Sequence, residues 1–99
     1  MIIAKVVGKV VATMKDAGFD GKKLVVTHAH VIKDGQLVPG QNMIIANDEL
    51  GAGEGDIVLV TQGSSARVAP GMKACATDAV VVALIDRIDA AGQPIFRKS

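Results

Sequence analysis

Apolar and polar positions alternate from Ile2 to Met14, with Ile2, Ala4, Val6, Val10 and Ala12 on one face and Lys5, Lys9 and Thr13 on the other. A period of two predicts a half-buried strand. A run this long bends in a small domain, and Gly8, near its middle, is the natural place for a bulge. Asp16, Gly18, Asp20 and Gly21 predict a turn-rich loop, after which the β-branched run from Leu24 to Val31 predicts a second strand. Asp34-Gly35 supplies the positive φ angles of a tight hairpin turn. Pro39 and Gly40 punctuate the return and leave Asn42 to Asn47 as a shorter third strand. Asp48 to Asp56, with Gly51, Gly53 and Gly55, predicts a loop, and Ile57 to Thr61 a buried strand. Gly63 to Arg67 can hold one helical turn capped by a serine, ended by Pro70-Gly71. Ala79 to Ile88 is the last expected strand, and Ala90 to Ser99 reads as a loosely tethered tail.

About five short strands, Gly-rich turns and one short helical turn predict an all-β fold, a small OB-like Greek-key β-barrel over residues 1–89 followed by a C-terminal tail over 90–99. An immunoglobulin-like sandwich needs about seven strands and fits less well. The last strand is apolar on both faces: Val80, Val82 and Leu84 alternate with Val81, Ala83 and Ile85. In so small a barrel one face fills the interior, and the other must be covered by loops or by a neighbour. At roughly 25 cal/mol per Å², several uncovered side chains would forgo several kcal/mol of a total stability of about 5 to 15. An intersubunit contact is the economical reading, with Val81, Ala83 and Ile85 as its candidate residues.

Composition narrows the possible partners. Apolar residues make up 49% of the 99-residue chain, yet Phe19 and Phe96 are its only aromatics, so there are few flat faces on which to stack a base or a sugar. The formal charge is +1 with the signs scattered, which suggests neither a nucleic-acid nor an anionic-membrane partner. The apolar runs fall short of the ~18 residues of a membrane span, and Met1 opens directly into a strand pattern with no recognisable secretory signal. Cys75 is the single cysteine; it reads as a small buried hydrophobe of an intracellular protein.

No residue set assembles into a catalytic or cofactor-binding motif. His28 and His30 are two apart on a strand and point to the same side, a spacing that can chelate a metal. A full site needs a third ligand, so a solvent-facing or interface pair is the favoured reading and no metal is expected. The Gly51-Ala52-Gly53-Glu54-Gly55 run is followed by a strand, whereas a dinucleotide fingerprint must open a helix. Ser64 and Ser65 lack the strained elbow and the base of a hydrolase, and no carboxylate pair stands out as an acid/base couple. An enzyme is not expected. The competing class is an OB-type module for single-stranded nucleic acid or oligosaccharide, which would need aromatic platforms and a basic groove.

Nearly the whole chain, from Met1 to about Asp89, resembles the EutN/CcmL family of bacterial microcompartment vertex proteins. The residues that carry the resemblance are Val7-Gly8-Lys9-Val10-Val11-Ala12-Thr13, Gly21-Lys22-Lys23-Leu24, and above all the run from Asp48 through Gly51-Ala52-Gly53-Glu54-Gly55-Asp56 to Val60. Gly63-Ser64-Ser65-Ala66-Arg67, Thr77-Asp78-Ala79 and Ile85-Asp86 complete it. The resemblance implies an OB-like barrel, a homopentamer, and a structural role at the vertices of a polyhedral shell in the cytoplasm, whose facets are tiled by hexameric shell proteins. It also places Gly63, Ser64 and Ser65 near the ring axis, as a narrow polar opening. His28-Ala29-His30 departs from the family's usual pattern. Arg67, next to the small-residue segment, is expected to be held by a carboxylate at the subunit boundary, since a guanidinium fork matches a carboxylate at two points.

Overall fold

The computed structural model describes residues 1–11, 23–63 and 79–99. Among them every regular element is a strand: β1 (Ile2–Lys9), β2 (Leu24–Lys33), β3 (Gln36–Asn47), β4 (Ile57–Gln62), β5 (Ala79–Leu84), β6 (Arg87–Ala90) and β7 (Gln93–Arg97). The first five close a barrel in the order β1-β2-β3-β5-β4, and β4 pairs back onto β1. This is the five-stranded OB arrangement that the turn spacing predicts. The seam between β3 and β5 is a single parallel pair, Asn47 with Val80, so the barrel is only just closed there.

The interior is narrow and is filled accordingly. Ala4, Val6, Val25, Ile44, Ala46, Val58, Val60, Ala79 and Val81 form one buried cluster with Ala52 from the loop before β4. Side chains of this size suit a barrel of five strands, which accounts for an apolar chain with so few aromatics.

Three irregularities set the register. Val7 is an extra residue between the β1–β2 pairs Val6–Thr27 and Gly8–Val26, so the bulge stands beside Gly8 as expected. On β3 the partner of β2 jumps from Met43, opposite His28, to Pro39, opposite His30. This shift lets β3 run unbroken through Pro39 and Gly40, where the sequence suggests a break: the proline, which cannot donate to a ladder, sits where pairing is already disrupted. The third irregularity lies in β5, between the pairs Val60–Val81 and Leu59–Ala83, and leaves Val82 without a ladder partner.

The C-terminal residues differ from expectation. Instead of a loose tail, β6 and β7 form an antiparallel hairpin around Ala91-Gly92, both at positive φ (53° and 75°). Lys98 N–H donates to Asp86 O at 2.8 Å and closes its base. The tip of the β2–β3 hairpin turns at Asp34 and Gly35 (φ 53° and 74°), the mirror-image turn predicted for Asp-Gly. The helical turn expected over 63–67 lies, apart from Gly63, outside the described residues.

Candidate assembly surfaces

The glycine-rich run of the sequence is organised by one carboxylate. Asp48, whose side chain is fully buried, accepts the amide hydrogen of Leu50 at 3.0 Å on Oδ1 and that of Ala52 at 2.8 Å on Oδ2. Lys23 Nζ stands 3.5 Å from the same carboxylate and donates to Ala52 O at 2.9 Å. Asp56 repeats the device on the outer half of the loop, its Oδ2 accepting the Gly53 amide hydrogen at 2.8 Å. The loop is then sewn to β1 by Gly55 N–H on Val6 O and Val6 N–H on Asp56 O. Short side chains that accept from nearby amides take the place of a ladder here, which is why the run needs Asp at both ends. It is a structural cradle, and it carries Ala52 into the core.

Outward from the barrel, cross-strand neighbours share a face, so Lys5, His28 and Met43 form one row across β1, β2 and β3. Gly8, Val26 and Ile45 form the next. Met43 and Ile45 are 61% and 45% exposed, and Val31 and Ile32 on the β2 arm are exposed too. For a small chain this is a substantial uncovered apolar surface.

The residues picked from the sequence separate. Gly63 stands exposed at the end of β4 with φ +70°. Ser64, Ser65 and Arg67 lie outside the described residues. Val81 is corrected: it is 3% exposed and belongs to the core of its own chain, so it is not available to a neighbour. The cause is the bulge at Val82, because Val81 pairs with inward-facing Val60 while Ala83 pairs with Leu59 on the opposite face. Ala83 and Ile85 are both half-buried in the single chain, and Ile85 is tied to β4 by its amide hydrogen on Ile57 O. His28 and His30 do share a face of β2, with ring centroids 5.3 Å apart. Among the described residues no group of three or more His, Cys, Asp or Glu converges, and no helix is long and apolar enough to cross a membrane.

A model of the family described as ethanolamine utilisation protein EutN/carboxysome matches residues 1–86. The chain belongs to the EutN/CcmL family. Among its curated relatives, the bacterial microcompartment shell vertex protein GrpN of Rhodospirillum rubrum is 38% identical over 89 residues, 90% of this chain and 97% of that one. The structure of Gloeobacter violaceus CcmL covers 99% of this EutN/CcmL chain and 98% of its own at a TM-score of 0.88 and 32% identity. The structure of GrpN from Rhodospirillum rubrum, a pentameric microcompartment shell protein, covers 92% of this chain and all of its own, with a TM-score of 0.80 and 36% identity. The likeness to Gloeobacter violaceus CcmL spans 99% of the chain, so the β6–β7 hairpin falls within that shared length.

Proposed function

We infer that this chain is a vertex protein of a bacterial microcompartment shell, and that five copies close a ring. The observation that carries this is the likeness, in fold and sequence over 92% of the chain, to a pentameric shell protein. Flat sheets of hexagonal units cannot close into a polyhedron without fivefold points, and a pentamer supplies them. Its neighbours in the shell are then hexameric facet proteins, and its place is the shell of a compartment in the cytoplasm. The role is structural and calls for no catalytic group.

A ring of identical subunits needs two different surfaces on each, joined by a rotation that closes. Supporting material for them is at hand in the exposed Met43 and Ile45, in the half-buried Ala83 and Ile85, and in Leu84, 36% exposed. Gly63, Ser64 and Ser65 line the opening at the ring axis, where small residues let five backbones converge, and Arg67 pairs with a carboxylate at the subunit boundary. Native mass spectrometry tests the assembly: the expected species is five times the 10.2 kDa chain mass. A stable monomer at micromolar concentration would refute the ring, and a sixfold species would refute the vertex role.

A further inference from the structure

We propose that His28 and His30 are a chelating pair for a transition-metal cation of the zinc class, bound through His28 Nδ1 and His30 Nε2. Three observations lead there. The β1–β2 register is unbroken from Ile3–His30 through Ala4–Ala29 to Lys5–His28, which puts both imidazoles on the same face of β2.

The second observation fixes the protons. His28 Nε2 lies 2.8 Å from Gly40 O, and His30 Nδ1 lies 2.8 Å from His28 O. A carbonyl oxygen can only accept, so each of those nitrogens carries the hydrogen. In the neutral ring the other nitrogen then holds a lone pair. Both rings are set in a metal-ready tautomer before any ion arrives, through the anchoring on backbone carbonyls that metal-bound histidines commonly show. The shifted register of β3 builds this arrangement, since it brings the Gly40 carbonyl under His28.

The third observation is the spacing. Zinc–nitrogen bonds are about 2.0–2.1 Å, and each nitrogen sits about 1.1 Å from its ring centre, so two rings held at a tetrahedral angle by one ion have centres about 5 Å apart. The observed separation is 5.3 Å, with the ring planes at 70°. An edge-to-face aromatic contact accounts for the spacing as well, but it does not call for both tautomers to be anchored. Among the described residues no third His, Cys, Asp or Glu converges on the pair, so the two imidazoles are the ligands proposed. Lys5, in register with His28 on the same face, sets a like charge beside the ion and limits its affinity. The site does not depend on the shell reading.

The test is calorimetric titration of the assembled protein with zinc chloride, joined to visible absorption with cobalt(II) chloride. Saturable binding of one ion per chain is expected, with the intense d–d bands of four-coordinate cobalt. His28→Ala and His30→Ala should each weaken zinc binding at least tenfold while circular dichroism and the native mass stay as in the parent. Should His28→Ala disturb the fold through its lost contact with Gly40, His30→Gln decides, since it keeps a donor for the His28 carbonyl and removes the ligand. No saturable zinc binding by the parent protein, octahedral cobalt bands, or undiminished binding in the double alanine variant would overturn the proposal.

Discussion

The buried carboxylate of Asp48 holds the amide of Ala52 from 2.8 Å away, four residues further along the chain. Asp48→Ala removes the acceptor for two amides and the carboxylate beside Lys23, so it is expected to destabilise the fold by about 3 kcal/mol. Lys23→Met should be milder, within about 1 kcal/mol, because the lysine side chain is 48% exposed and water screens the pair. Urea midpoints of the two variants check the order; equal losses would mean that the ion pair, and not the amide contacts, holds the loop.

Gly40 tests the register shift of β3. A Cβ there would stand 3.2 Å from Ala29 O, a backbone atom that cannot swing aside. Gly40→Ala should therefore lower stability by about 1 kcal/mol or more. At Gly53 a Cβ meets only Asp56 Oδ2 at 3.8 Å, an ordinary contact, and Gly53→Ala is expected to be neutral within about 1 kcal/mol. Thermal melting of both variants side by side gives the comparison.

Ala91 adopts φ 53°, a conformation that disfavours alanine by about 1–2 kcal/mol. Ala91→Gly or Ala91→Asn relieves it and should raise the stability of the C-terminal hairpin. Slower amide exchange across β6 and β7 is the expected readout, with the exchange of β1 to β5 unchanged.

The two sides of β5 give opposite phenotypes. Val81→Ala opens a cavity in the barrel core and should cost about 1–3 kcal/mol in a denaturant titration without altering the oligomer. Ala83→Glu, on the other face, should leave the secondary structure intact by circular dichroism and dissociate the ring in native mass spectrometry. A ring that tolerates the glutamate would remove Ala83 from the interface.

Arg67→Ala separates an interface arginine from a solvated one. Breaking a buried pair costs about 3–5 kcal/mol and an exposed one about 0–1, so the ring's dissociation midpoint should fall markedly. An unchanged midpoint would make Arg67 a solubilising residue.

Local chemistry explains what the sequence determined by itself. Alternation over β1 placed Ala4 and Val6 inside, because strand geometry turns successive side chains to opposite faces. Asp34-Gly35 fixed the hairpin turn, since few residue pairs accept two positive φ angles, and the recurring Asp and Gly of 48–56 marked a loop whose amides would need side-chain acceptors. Ala91-Gly92 makes the same kind of turn without that signature, so the final hairpin was hidden; its visible traces were Gly92 and the apolar residues at Ile88, Ile95 and Phe96. Only the tertiary structure decided which faces survive beyond an inserted residue. One extra residue reverses every later side chain of a strand, so the unpartnered Val82 separates Val81 from Ala83, a division that no periodicity could show. The same holds for His28 and His30. Their spacing put them on one face, but the anchoring of each ring depends on a carbonyl that a long-range strand pairing, or the local backbone path, brings within 2.8 Å.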